Sequence, residues 1–280
     1  MRLKPIRPTT ARALVALAAA LAFTTAAQPA SAALFGGRKK TDPPPAAQDT
    51  AAPQPASAEA RAAADRQDPL ARAAFWSREM QINPADATAG VKLSAALRAL
   101  GRNDEASVIA GQVLAANPNH VEALLEDARA KIAGGAPFYA IAPLKAAQAA
   151  APKDWRPLSL LGVALAQTER PDEAREAYLA ALKLSPENPA VLTNYALFHA
   201  ARGEKEQAET LLRRAVAGPG AGPRERQNLA LVLGLQGKLA EAERLMRQDL
   251  PPEQAAANLA YLRAQPASPT QRNWEQLGAP

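Results

Sequence analysis

The sequence predicts an all-α solenoid of about five stacked helix–turn–helix units, and three observations carry that prediction. Alanine supplies 71 of the 280 residues while aromatic residues make up 4%, a balance that suits close-packed helices better than a β-sandwich. Proline recurs with a period of 34 residues at Pro84, Pro118, Pro152 and Pro186. Glycine recurs with the same period at Gly101, Gly135, Gly203 and Gly237, with Glu169 as the exception. A fixed period of this length marks a repeat array, in which each unit buries its apolar face only against its neighbours.

The chain opens with Arg2, Lys4, Arg7 and Arg12, followed by an apolar run from Ala13 to Phe23 and the small-residue motif Ala30-Ser31-Ala32. This order predicts an export signal over residues 1–32, cleaved after Ala32. The run of 11 apolar residues is shorter than the roughly 20 needed to span a bilayer, and with no cysteine a lipid anchor on the mature chain is not available. The expected location is therefore the periplasm. Those first residues hold +4 of the formal net charge of +6, so the basic balance belongs to the signal and gives no support to nucleic-acid binding. Residues 33–67, with Pro43-Pro44-Pro45, Pro53 and Pro55, read as a disordered tether. It has room for a short helix from about Ser57 to Gln67.

The solenoid is expected over 68–264, with units at 87–120, 121–154, 155–188, 189–222 and 223–256. Each begins after a residue suited to capping a helix: Asp86, His120, Asp154 and Asn188 precede successive apolar-periodic runs, where a side-chain acceptor satisfies the orphan N–H groups of the first turn. The glycine column falls where the first helix must stop and turn. Small residues at Ser94, Ala128, Gly162, Ala196 and Ala230, and the column Ala106, Ala140, Ala174, Ala208 and Ala242, mark places where two helices cross closely. Leu70 to Ile82 and Pro251 to Ala264 are expected to be capping helices, and 265–280 a disordered tail in which Trp274 reads as an idle residue. The run Gly218-Pro219-Gly220-Ala221-Gly222 is a place where the stack can bend.

Residues Gly162, Ala174, Tyr178, Ala181 and Pro186 together resemble the tetratricopeptide repeat, with Trp155 to Asn188 as the best copy. Asp127 and Lys131 depart from its pattern by occupying usually apolar places. The resemblance implies a right-handed superhelix whose first helices line a concave groove for a protein or peptide partner. By register that groove takes Arg129, Arg156, Ser159, Val163, Asn194, Leu197, Asn228 and Leu231. Asn194 and Asn228, one repeat apart, are placed to hold a peptide backbone through their amides, beside an apolar stripe of Val163, Leu197 and Leu231. The basic clamp with which some members of the family hold a terminal carboxylate is incomplete.

Enzymatic readings fare poorly. His120 lies in the cap column and His199 inside a first helix, the chain has no cysteine, and no phosphate loop, nucleophile elbow or paired-histidine zinc motif occurs. No catalytic residue, cofactor or metal is expected. The export signal, the repeats, and the closing stretches Asn228 to Gly237 and Asp249 to Arg263 resemble the TadD family of tight-adherence (Flp) pilus assembly. That resemblance implies a non-catalytic periplasmic scaffold for the secretin or other pilus components. Many members carry a lipid-anchored cysteine, and this chain has none. A general cell-envelope adaptor in outer-membrane or cell-wall biogenesis is the second reading, and an enzyme subunit a distant third.

Overall fold

The computed structural model describes residues 54–264. The expected export signal, the earlier part of the tether and the tail with Trp274 lie outside the described residues. Those described form thirteen helices and no strand. Helices α1 (Ala58–Ala64) and α2 (Pro69–Ile82) precede five hairpins. These are α3 (Ala87–Ala99) with α4 (Asn103–Ala116), α5 (Val121–Ala133) with α6 (Pro137–Ala150), and α7 (Trp155–Gln167) with α8 (Pro171–Leu184). The last two are α9 (Pro189–Ala201) with α10 (Lys205–Ala217) and α11 (Pro223–Leu235) with α12 (Leu239–Asp249), and α13 (Pro252–Ala264) closes the array.

The helix boundaries follow from side-chain chemistry. The side chains of Asp86, His120, Asp154 and Asn188 accept hydrogen bonds from first-turn N–H groups of α3, α5, α7 and α9, each contributing about 1 kcal/mol. At α11 the cap position is Gly222, which has no acceptor, and the Glu225 carboxylate instead takes the Gly222 N–H at 2.8 Å. Each hairpin turn passes through a left-handed residue: Gly101, Gly135, Gly203 and Gly237 have φ between 76° and 81°, and Glu169 adopts φ 60° in the same place. The turn geometry is thus common to all five units, and the third carries it on a residue with a Cβ.

Each helix packs on the next along the chain, and each first helix also touches the first helix of the following unit. Successive second helices make no comparable contact, so the first helices line the tighter, inner face. The small-residue column explains how closely hairpins pack: a Cβ on Gly162 would lie 2.7 Å from the Tyr178 ring. Tyr178 is itself fully buried and stacks on Tyr195 with centroids 5.2 Å apart. The two departures from the apolar pattern satisfy each other, since Asp127, although buried, accepts from Ser107 Oγ and Lys131 Nζ at 2.6 Å each. The glycine-rich run does not interrupt the stack, because α10 packs on α11 and α9 on α11 across it.

One expectation changes at the N-terminal end. The short helix forms over Ala58–Ala64 and belongs to the packed body: Arg61 bridges the buried Glu79 at 2.5 Å and Asp86 at 2.7 Å, while the Ala56 N–H reaches Glu79 at 3.0 Å. A carboxylate buried as deeply as Glu79 requires a counterion. Arg61 supplies it, so Ala56 and the helix Ala58–Ala64, expected within the tether, pack against α2.

Candidate functional site

The inner face is built from the same positions of five first helices, and what those positions do is governed by polar ties between neighbouring units. Between α3 and α5, Arg98 Nε donates to Glu126 at 3.1 Å, and Arg129 holds the other oxygen of the same carboxylate at 2.5 Å. Between α5 and α7, Arg156 grips both oxygens of Glu122 at 2.8 and 3.0 Å. Between α7 and α9, the Asn194 amide donates to Ser159 Oγ at 3.1 Å. Between α9 and α11, Arg224 donates to the Asn194 carbonyl oxygen at 3.3 Å. Every junction of first helices thus has its own tie.

Several of the expected groove residues belong to this ladder. Ser159 is buried, and Asn194 uses both ends of its amide. Asn228 is also buried, donating to the Arg224 carbonyl one turn back in its own helix at 2.9 Å. Its Nδ2 donor is thus tied within α11, as the Asn194 amide is tied to Ser159 and Arg224. Leu231 is 2% exposed and sits in one apolar cluster with Leu259 and Leu262 of α13, because the closing helix needs an apolar surface to cover. The expected three-residue stripe therefore reduces to Val163 and Leu197, both partly exposed one repeat apart. Arg129 and Arg156 remain on the inner face with their guanidinium groups about one third exposed or less.

The electrostatics of the strip favour keeping these ties charged. Burial pushes the Asp154 carboxyl up, but the Arg156 side chain and N–H, with the charges of Arg156 and Arg129, outweigh it and leave it below its ordinary value. Asp154, then Glu122, raises the Arg156 guanidinium further. Sequence reasoning did not identify Arg98, Glu122, Glu126 or Arg224 as members of the strip. The available signal was complementary residue types about one repeat apart: Glu122 with Arg156 is separated by 34 residues and Ser159 with Asn194 by 35.

Neither histidine forms part of a metal-binding set. His120 caps α5 through Nδ1, and His199 Nδ1 lies 2.5 Å from Glu204 in the turn before α10. Among the described residues there is no group of three potential metal ligands, and no helix is long and apolar enough to cross a membrane.

Two models of the tetratricopeptide repeat match the chain, one over residues 140–189 and 159–223 and the other over 226–250. Among solved structures, a thermophilic TPR protein of Thermus thermophilus is similar at 24% identity with a TM-score of 0.57, covering 64% of this chain and all of that one. A tetratricopeptide repeat protein from Parabacteroides merdae is similar at 17% identity with a TM-score of 0.53, covering 73% of this chain and 82% of its own. At these identities the likeness concerns the fold alone. No curated protein matches the chain.

Proposed function

We propose that this chain, a tetratricopeptide-repeat protein, is an exported, non-catalytic scaffold that holds segments of other proteins during assembly of an envelope machine of the tight-adherence pilus type. The fold supports the general part of this reading, since a stack of hairpins presents a long inner surface suited to protein partners. The observation that carries the reading is the centre of the inner face. Val163 and Leu197 are partly exposed there one repeat apart, and Arg156 and Arg224 occupy the same first-turn position of α7 and α11. An extended peptide with apolar side chains and a carboxylate has both kinds of contact available, the carboxylate at exposed Arg224, since Arg156 is already held by Glu122 and Asp154.

The export and pilus parts rest on the sequence of residues 1–32 and on the family resemblance. The pilus part is tested by capture from envelope extracts with residues 33–280 as bait, the parent being compared with a Val163→Asp/Leu197→Asp variant, and the export part by N-terminal sequencing of the protein recovered from the periplasm, where a start at Ala33 is expected. Recovery of secretin or pilus components by the parent and not by the variant supports the proposal. Recovery of cell-wall or other outer-membrane biogenesis proteins in that same pattern favours the general envelope adaptor. Equal capture by parent and variant removes the strip as the binding site.

A further inference from the structure

The two ends of the array are closed in different ways. At the C-terminal end α13 buries Ala255, Leu259 and Leu262. At the N-terminal end α1 spans seven residues, of which Ala64 is the one buried. What attaches it to the array is polar. Arg61 donates from Nε and Nη2 to the Glu79 carboxylate of α2 at 2.8 and 2.5 Å, and from Nη2 to Asp86 Oδ2 at 2.7 Å. The Ala56 N–H reaches the same Glu79 carboxylate at 3.0 Å, and Lys92 of α3 reaches Asp65 at 2.7 Å. The Arg61 guanidinium also lies over the Trp76 ring, 5.7 Å from its centroid.

Glu79 stands where the stack itself does not need a carboxylate. At steps of 34 residues from it, the second helices of units one to four carry Val113, Ala147, Ala181 and Ala215, all buried. Asp249 holds the position in the last unit, and its partner Arg226 belongs to the first helix of that same hairpin. A carboxylate only 3% exposed is costly to bury without a cation. The apolar residues of the column show that stacking one hairpin on the next does not require that cost. Glu79 is therefore explained by what it holds, which is Arg61 of α1.

The bonds that shape each piece are separate from those that join them. Ser57 Oγ accepts from the Ala60 N–H within α1, and Asp86 caps α3 through Oδ1 while Oδ2 takes Arg61. Breaking the ties thus leaves α3 capped. A freed α1 is too short to persist as an isolated helix, so its helicity reports its docking.

We propose that α1 is a charge-operated latch, which lifts from α2 and α3 while the five hairpins stay folded, and whose lifted form is favoured by rising ionic strength. Release frees residues 54–68 from the array and uncovers the Glu79 carboxylate and the face of Trp76. Salt reaches the ties because the Arg61 side chain is 24% exposed and both members of the Lys92–Asp65 pair are more than one third exposed. Burial of apolar surface, which holds α13, is not weakened by screening.

The test is hydrogen exchange of the full chain followed by mass spectrometry, with the melting temperature measured alongside. Between about 0.01 and 1 M sodium chloride the screening length falls from about 30 to 3 Å, and exchange across α1 is expected to rise while α13 keeps its rate. Glu79→Ala installs the residue that α6, α8 and α10 carry in the same column. It is expected to speed exchange of α1 at least about tenfold, as loss of a charge-assisted hydrogen bond requires, with the melting temperature unchanged or raised. Arg61→Ala is expected to free α1 to the same extent, and the two substitutions together no further. Parental exchange of α1 in either variant, exchange that slows with salt, or a salt response shared equally by α13 would overturn the proposal. So would acceleration that extends through α2 and α3 with a lowered melting temperature, which would make α1 part of one cooperative body.

Discussion

The left-handed turn residue shows how far a single position can be read from sequence. Four turns place glycine at φ near 80°, and the third places Glu169 at φ 60°, where a side chain costs about 1–2 kcal/mol relative to the right-handed region. Glycine removes that strain but gives the unfolded chain more freedom to lose. Glu169 is exposed at the surface, so burial of its side chain does not offset the difference. Glu169→Gly is therefore expected to stabilise the protein by up to about 1 kcal/mol, read as a rise in the urea midpoint with an unchanged slope. A midpoint that stays put or falls would mean that the third turn tolerates Glu169 without strain. The glycine column was legible because the same backbone angle recurs at each turn. Asn194 was less legible, because a polar residue on an inner face reads equally as a ligand contact or as a tie. Its role depends on Ser159 and Arg224, which lie 35 and 30 residues away.

At the scale of the element, the first helices α3, α5, α7 and α9 start with a side-chain cap, and at α7 the cap and the inner-face tie are one network. Asp154 accepts from the Arg156 N–H and is also bound by the Arg156 guanidinium, which in turn reaches Glu122 on α5. The net effect holds the Asp154 carboxyl below its ordinary value of 3.8. A carboxyl depressed in the folded state contributes stability that is fully present above its unfolded value and is lost as pH falls through the folded one. Asparagine caps a helix about as well as aspartate, so Asp154→Asn isolates the charge. The variant is expected to be less stable than the parent at pH near 7 and to converge with it as the pH drops below about 4, as measured by denaturant melts across that range. A gap independent of pH would assign the loss to packing instead. The caps were readable from Asp86, His120, Asp154 and Asn188 because capping is a local event within three residues. The docking of α1 was not, because it depends on Arg61 meeting Glu79, 18 residues along the chain and across a helix interface.

For the whole molecule, the array must end without exposing the apolar face that each unit presents to the next. At the C-terminal end that task falls to α13, which buries Ala255, Leu259 and Leu262 against the fifth hairpin. The fit is tight: a Cβ on Gly234 would lie 2.4 Å from Leu262 Cδ1. In a stack whose units touch only their neighbours, damage to one end weakens the adjacent unit most and fades with distance. Leu262→Asp places a carboxylate in that contact and removes a buried leucine, at a cost on the order of several kcal/mol. Hydrogen exchange of the variant is expected to accelerate in α11, α12 and α13 while α3 to α8 keep parental protection. Undocking α13 also uncovers apolar surface around Leu229, Leu231 and Leu233 of α11, so the variant should associate as its concentration rises. Exchange that accelerates evenly from α3 to α13 would instead mean that the hairpins unfold as a single cooperative body. The inner-face ties would then be the natural source of that cooperativity, since they join first helices at every junction from α3 to α11.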